Sequence, residues 1–347
     1  MKKIDMPLVS VILVNFNGKK FLDKCVASIL DNHYVNFEII VVDNNSIDSS
    51  IDNLEKKYIG EKRVRIIRNV KNSGPAGALN LAAANAKGKY LAILGYDTEV
   101  DQNWLTTYVD FMQSHERVGI AQGKLMRIDE KDRFFYIGDY LGPFGFLVER
   151  GRGKKDKGQF NKTKEIFGIN SATMIMKTKL FRQLGGFDER FFMYLEETDL
   201  CFRIHLMGLK VMYVPKSVVY HHDSTKVKKD KVFIEDKRNY YGCRNYIWML
   251  AKNWSFKNLI LRWPIHILAW IIIMMGLAFK KDFKRSLAIA KALLWHIINF
   301  FKVVKSRIEV QAKFRKVKDS DFSHLFIKKD LSYYWGKAWA FINNKAF

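Results

Sequence analysis

Val9-Ser10-Val11-Ile12-Leu13-Val14-Asn15, followed by Phe16-Asn17-Gly18, is the stretch on which the fold turns. Its β-branched apolar run shows no polar alternation, which suits a strand buried on both faces of a parallel sheet. The polar turn after it hands the chain to a helix, in which Phe21, Cys25, Ile29 and Leu30 recur at helical spacing. The unit then repeats. Residues 37–42 read as a second buried strand closed by Asp43-Asn44-Asn45-Ser46, with Ser46 the expected N-cap and Asp48 in the first helical turn. Residues 64–68 read as a third strand, 76–86 as an Ala-rich helix, and 90–94 as a fourth strand ending at Gly95-Tyr96-Asp97. Strand and helix in alternation with short connections define an α/β domain with a mostly parallel sheet. Ligands bind at the carboxyl ends of such strands, where Asn15, Asp43 and Asp97 all fall.

Further along, residues 150–164 (RGRGKKDKGQFNKTK) have little apolar content and are expected to form an exposed, mobile loop. Residues 167–176 read as a strand, followed by a helix and the turn Gly185-Gly186. A helix is expected over 191–208, carrying Glu196, Glu197 and Asp199, and a last strand over 211–220 runs into His221-His222. Near Arg238 the character changes to aromatic and basic residues among long apolar runs. The expected organisation is a catalytic α/β domain over 1–237 and an amphipathic helical region over 238–347.

Charge follows the same division. The chain carries +24 overall, with 26 basic against 8 acidic residues from Ser224 onward and a near balance before it. Lys284, Lys291, Lys302 and Lys305 fall on one helical face, with Leu287, Leu294, Ile297, Ile298, Phe301 and Val304 around them. That is the pattern of a helix lying in an anionic membrane surface. The apolar run 265–279, once Arg262, Pro264 and His266 are allowed for, is shorter than the ~20 residues that span a bilayer. The expectation is therefore a peripheral or monotopic protein at the cytoplasmic face. Three scattered cysteines without a CxxC pair suit a reducing compartment. Asp5 and Pro7 interrupt the apolar start, so it reads as a strand and not a signal peptide. The tail has no zinc-finger, helix-turn-helix or RRM pattern, which argues against nucleic acid as partner. No G-x-G-x-x-G follows the first strand, which argues against NAD.

The strand-end residues suggest chemistry by their types. An Asp after a buried strand (Asp43) suits a nucleobase N–H or a ribose hydroxyl, and Asp97 suits a divalent metal through its oxygens. Glu196, Glu197 and Asp199 sit between Phe191-Phe192-Met193-Tyr194-Leu195 and Leu200-Cys201-Phe202. Three carboxylates in so apolar a setting are costly unless paired or used, and any of them could serve as a base. His221 could complete a metal shell.

Taken in order, these residues resemble glycosyltransferase family 2, the GT-A family of inverting transferases, and its rhamnosyltransferase-like branch most closely. The likeness covers roughly residues 7–225. Residues 9–17 look like the family's first strand and nucleotide-contacting turn, which includes Asn15 and Asn17. Val41-Val42-Asp43-Asn44-Asn45-Ser46 matches its second motif, implying that Asp43 contacts the base or ribose. Asn72-Ser73-Gly74-Pro75-Ala76-Gly77-Ala78-Leu79-Asn80 matches its Gly-rich turn and helix, bringing Asn72, Gly77 and Asn80 into the nucleotide-sugar site. Leu94-Gly95-Tyr96-Asp97-Thr98 stands where the family has its metal and diphosphate Asp. Glu196-Glu197-Thr198-Asp199-Leu200 looks like its acidic catalytic motif, and Val218-Val219-Tyr220-His221-His222 like its strand ending in a metal-binding His. Three departures stand out. Gly95-Tyr96-Asp97 replaces Asp-x-Asp or Asn-Pro-Asp, so that Glu99 is a candidate helper of Asp97. Glu197 replaces the commoner Asp, and Ala82 replaces a glycine. The tail segment 308–318 (IEVQAKFRKVK) resembles the branch's basic Gln-x-x-x-Arg extension.

The resemblance implies sugar transfer from a nucleoside diphosphate donor to a glycan or lipid-linked acceptor, with Glu197 as the favoured base. It implies Mg²⁺ or Mn²⁺ held by Asp97 and His221. The competing expectation, kept open by the altered phosphate motif, is a catalytically impaired protein of the same fold that binds nucleotide sugar or glycan.

Overall fold

The computed structural model describes residues 6–222 and 231–343. The chain divides into two compact units, one made of residues 1–139, 149–204 and 209–224, the other of 140–148, 205–208 and 225–347.

The first unit is built on strands β1 (Val9–Asn15), β2 (Phe37–Asp43), β3 (Val64–Arg68), β4 (Tyr90–Gly95), β5 (Thr98–Val100), β6 (Val118–Arg127) and β7 (Phe134–Tyr136), then, after the short pair β8 (Asp139–Leu141) and β9 (Leu147–Glu149), most of which belongs to the second unit, on β10 (Lys164–Glu165), β11 (Thr173–Lys177) and β12 (Lys210–His221). Its helices are α1 (Leu22–Leu30), α2 (Ser50–Lys57), α3 (Gly74–Ala84), α4 (Trp104–Ser114), α5 (Thr178–Gln183) and α6 (Glu196–Leu206). The main sheet runs β10-β12-β6-β11-β4-β1-β2-β3, with β5 added to β12 and β7 to β6. The strands β3, β2, β1 and β4 are mutually parallel, β11 is antiparallel to β4 and β6, and β12 is parallel to β6. All but β11 of these point the same way, so Asn15, Asp43, Asp97 and His221 reach one edge of the sheet. The apolar run that opened the sequence is the sheet's centre, and Val9, Val11, Ile12 and Leu13 have no exposed surface. Each such side chain contributes about 1.5–3 kcal/mol of burial.

Three local expectations are corrected. The helix after β2 starts at Ser50, not Ser46, because the Ser46 hydroxyl accepts hydrogen bonds from the Asn15 side chain and the Asn17 backbone. The segment before Glu196 is not helical. A single 3-10 turn spans Glu189–Phe191, and Phe192, Tyr194 and Leu195 then adopt positive φ (63°, 68°, 69°). Non-glycine residues in that region store strain that surrounding structure must hold, and here it delivers the acidic residues into the first turn of α6. Finally, the loop 150–164 is exposed but pinned. Lys124 Nζ donates to Asp156 at 2.7 Å and Asn161 at 2.7 Å, Phe160 packs edge-on against Phe134, and Arg150 lies over the Phe160 ring. Polarity marked that loop as surface, while its anchor, a buried lysine on β6, lies outside the segment. The strand β6 had no sequence-level counterpart because Gly119 and Gly123 break its apolar pattern. Both are packing requirements, since a Cβ at Gly123 would strike the Ser217 backbone.

The second unit holds α7 (Lys231–Asn253), α8 (Phe256–Phe279), α9 (Phe283–Ile298), α10 (Phe300–Phe314) and α11 (Leu331–Ile342). Its core joins Cys243, Ile247, Trp270, Ile273, Leu277, Ile289 and Ala292. The Gln-x-x-x-Arg stretch caps α7: Gln311 donates to the carbonyls of Lys252 and Asn253, Arg315 to that of Asn253, and Arg307 to those of Ala251 and Trp254. These are the carbonyls that a helix end leaves without partners. The apolar run beginning near residue 259 is longer than its clean core suggested, because Pro264 and His266 are accommodated inside α8. His266 Nδ1 pairs with the Phe144 carbonyl at 2.8 Å. By length and composition, 24-residue α8 is sufficient to cross a membrane. The expected single lysine-bearing helix is two, α9 and α10, bent by 71°.

Candidate active site

The first strand end is a hydrogen-bonded turn built around Asn15. Its fully buried side-chain amide donates to Asp43 Oδ1 (3.1 Å), Ser46 Oγ (3.0 Å) and Ser50 Oγ (2.8 Å). Its Oδ1 is buried without a partner, and a side chain at Gly18 would collide with that oxygen and with the Tyr96 ring. Glycine at this position is required by the close approach of Asn15 and Tyr96. Asn17, at φ 54°, accepts from Ile47 N at 2.9 Å and ties this turn to the one after β2. Asp43 also accepts from Ser46 N at 3.3 Å.

Asn72 and Asn80 are placed differently. Asn72 Oδ1 accepts from Asn44 Nδ2 (3.0 Å) and Gly74 N (2.9 Å). Asn80 holds the segment that precedes α6, accepting from Phe187 N and donating to Phe187 O and Glu189 Oε1, all at 2.9 Å. Gly77 lies against Ser73, where a Cβ would come within 2.9 Å of the serine side chain. These three residues shape the Gly-rich turn and the helix after it, with the Asn72 side-chain oxygen and both polar atoms of the Asn80 side chain engaged within the protein.

Backbone pairing brings Asp97 to His221. The short β5 lies antiparallel to the end of β12 in the register His221↔Thr98, and His222 N donates to Asp97 O at 2.8 Å. His221 Nε2 is then 3.5 Å from Asp97 Oδ1, and Phe135 stacks on its ring at 4.1 Å. Glu99 turns away from Asp97 to His222 Nε2, 2.9 Å distant. Among the described residues no three His, Cys, Asp or Glu side chains gather as a metal cluster. The pair does fit a divalent cation: an oxygen and a nitrogen at 3.5 Å are too far apart for a good hydrogen bond, yet close enough to share one ion.

The three acids of α6 separate by environment. Asp199, fully buried, is paired with buried Arg203 (3.1 Å), whose guanidinium also donates to the Leu184 carbonyl at 2.6 Å. Glu196 and Glu197 each keep a buried carboxyl oxygen without a partner. Burial raises the Glu197 carboxyl from 4.5 to about 7, and burial together with the Glu197 charge raises Glu196 well above its usual range. Asp199 is thus tied into the scaffold, and Glu197 has the proton affinity of a base working near neutral pH. Removing one member of a buried ion pair costs about 3–5 kcal/mol. Asp199→Asn is accordingly expected to lower denaturant-unfolding stability by roughly that amount, and Glu197→Gln not to lower it at all.

Sequence reasoning missed Asp139, a buried carboxyl at the start of β8 that accepts a hydrogen bond from the Tyr136 hydroxyl and whose proton affinity is raised by burial and by the Glu149 and Glu197 charges. Its neighbours Gly138 and Tyr140 gave it the look of a turn residue, and only the folded register brings it to α6.

A sheet of this order, with polar strand ends collected on one edge, defines a GT-A protein. The family model for glycosyl transferase family 2 matches residues 10–185, and the chain belongs to that family. An uncharacterized glycosyltransferase of Haemophilus influenzae is 27% identical over 218 residues, covering 62% of this chain and 65% of its own length. The Escherichia coli UDP-Glc:alpha-D-GlcNAc-diphosphoundecaprenol beta-1,3-glucosyltransferase WfaP is 38% identical over 104 residues, or 30% of this chain and 39% of its own. The chain thus spans less than two thirds of the length of either relative. Among solved structures, GalNAc-T7 with UDP, GalNAc and Mn²⁺ shares the fold at a TM-score of 0.60 and 17% identity, over 74% of this chain and 49% of that one.

Proposed function

We propose that the protein is an inverting glycosyltransferase that moves a hexosyl or rhamnosyl group from a nucleoside diphosphate sugar to a lipid-linked or polysaccharide acceptor at the cytoplasmic membrane face. The observation that carries this reading is Glu197, a buried carboxyl with a free oxygen and a raised proton affinity, on the family's acidic motif. Asn15 and Asp43 bind the nucleotide, while Asn17, Asn72, Gly77 and Asn80 shape the turns around it. When the acceptor oxygen bonds to the anomeric carbon, the carbon–diphosphate bond breaks and the hydroxyl proton passes to Glu197. Asp97 and His221 would hold Mg²⁺ or Mn²⁺, whose chemistry at that position is neutralisation of charge on a departing diphosphate. Donor hydrolysis in the absence of acceptor, assayed across UDP, GDP and dTDP sugars, tests the reading; binding without turnover of any donor in the presence of acceptor membranes contradicts it.

Support for the membrane half comes from which side chains face outward. Phe279 (91% exposed), Phe301 (85%), Ile297 (74%) and Ile298 (72%) leave the helical core for the surface, beside exposed Lys280, Lys281, Lys284, Lys291, Lys302 and Lys305. Large apolar groups turned outward among cations suit insertion at an anionic interface. The protein is expected to float with phosphatidylglycerol-containing liposomes at moderate salt, and Ile297→Asp/Phe301→Asp to reduce the floated fraction at least about tenfold. Flotation indifferent to both lipid charge and this double change speaks against it.

A further inference from the structure

A metal-binding imidazole is ordinarily oriented by a hydrogen bond from its second ring nitrogen to a carboxylate or a carbonyl. His221 lacks one. Its Nε2 faces Asp97, and its Nδ1 is buried without a partner. What the ring does have is a flat neighbour. Phe135 stacks on it with centroids 4.1 Å apart and the two planes 14° from parallel.

Backbone geometry brings that neighbour in. Leu125 of β6 pairs with Val219 of β12 and with Tyr136 of β7, so Phe135 and His221 come from strands on either side of β6. The β6–β7 ladder joins Leu125 to Tyr136 and Met126 to Phe134, which leaves Phe135 as an extra residue in a bulge. Bulges bend a strand and re-aim a side chain, and they recur beside active sites.

A turn in the loop 150–164 then places Arg152 over the same ring, its guanidinium carbon 5.4 Å from the centroid. Gly153 N donates to Phe134 O at 2.9 Å and Phe134 N to Lys154 O at 3.0 Å, which ties the turn to β7. Gly151 and Gly153, at φ 71° and 72°, make the left-handed bends on either side of Arg152, and Glu149 accepts from its Nη1 at 2.6 Å. Phe135 thus meets both the His221 ring and a cation whose own place is fixed. A side chain that only filled space could be exchanged for another apolar one without consequence for the imidazole. A stacking partner could not.

We propose that Phe135 is the positioning residue for His221. Stacking fixes the plane of the imidazole in place of a hydrogen bond at Nδ1, Arg152 holds the Phe135 ring, and Nε2 is kept toward Asp97 for the divalent cation. This rests on the reading of Asp97 and His221 as the pair that holds the ion.

Phe135→Leu and Phe135→Met each keep an apolar side chain and remove the flat face, so one serves where the other folds poorly; Phe135→Tyr keeps the face. In the metal-free protein, labelled histidine Cε1–H groups report the ring directly, with the His221 signal identified by its loss in His221→Gln. Its proton is expected upfield of its position in Phe135→Leu, and Phe135→Tyr should retain the upfield shift. Mn²⁺ affinity with UDP or GDP, followed by the free-ion electron paramagnetic resonance signal, is expected to fall about three- to tenfold in the leucine and methionine variants and to be retained in Phe135→Tyr. Wild-type Mn²⁺ affinity in Phe135→Leu and Phe135→Met, an equal loss in Phe135→Tyr, or a His221 resonance that Phe135→Leu leaves in place overturns the proposal. Unchanged Mn²⁺ affinity in Asp97→Asn would instead defeat the reading of the ion site. The metal-free resonance still reports whether Phe135 orients the ring, so the two failures are distinguishable.

Discussion

Glu197→Gln is expected to abolish sugar transfer, lowering kcat by about 10³-fold, while nucleotide affinity, read by thermal shift with UDP or GDP and Mn²⁺, stays within about twofold of wild type. The separation follows from placement. The turn proposed to bind the nucleotide is built on Asn15 and Asp43, whereas Glu197 stands on α6 with its own unpartnered oxygen. The pH dependence has a definite sign. A base must be ionised to act, so kcat/KM rises with pH through about 7, the value to which burial lifts Glu197. Stability runs the other way. Between the ordinary 4.5 and about 7 the folded protein retains a proton that the unfolded chain has released, so this group's contribution is complete below 4.5 and is lost as pH rises to about 7. Glu197→Gln should therefore be more stable than wild type above that window and equal to it below.

The second large effect is expected at the Asp97–His221 pair. Asp97→Asn should weaken Mn²⁺ binding in the presence of UDP by at least about tenfold, followed by loss of the free-ion electron paramagnetic resonance signal, and lower transfer by about 10²–10³-fold. His221→Ala should act in the same direction, whereas Glu99→Gln should leave Mn²⁺ affinity unchanged, because Glu99 is engaged by His222. EDTA is expected to suppress transfer, with either Mg²⁺ or Mn²⁺ restoring it. Equal Mn²⁺ affinity in Asp97→Asn and wild type would place the ion elsewhere.

Much of this site was legible in the sequence because a parallel sheet writes itself plainly. The runs at Val9–Asn15 and Val64–Arg68 coincide with the observed strands, and the polar residues that close such runs must lie at one edge once the strands are parallel. The Asp97–His221 pairing was suggested by residue type and family likeness and not by periodicity, since the three-residue β5 that creates it is too short to leave a periodic signal. Local pattern failed where tertiary structure overrode it. The apolar residues before Glu196 read as helix, yet three of them take positive φ, held by the anchoring of the preceding turn through Asn80. Likewise, lysines spaced along residues 284–305 read as one helix, and the 71° bend between α9 and α10 has no proline or glycine to announce it. Among the acids, residue type left Glu196, Glu197 and Asp199 open and the family likeness favoured Glu197, while the Arg203 pairing separates Asp199 from the other two.

The most direct test of inverting transfer at Glu197 is the anomeric configuration of the first product, followed by proton NMR as a donor sugar is consumed in the presence of Mn²⁺ and acceptor membranes. The account predicts a product whose anomeric configuration is opposite to the donor's, formed by wild type and not by Glu197→Gln. A product of retained configuration, or one formed equally fast by Glu197→Gln, would contradict it.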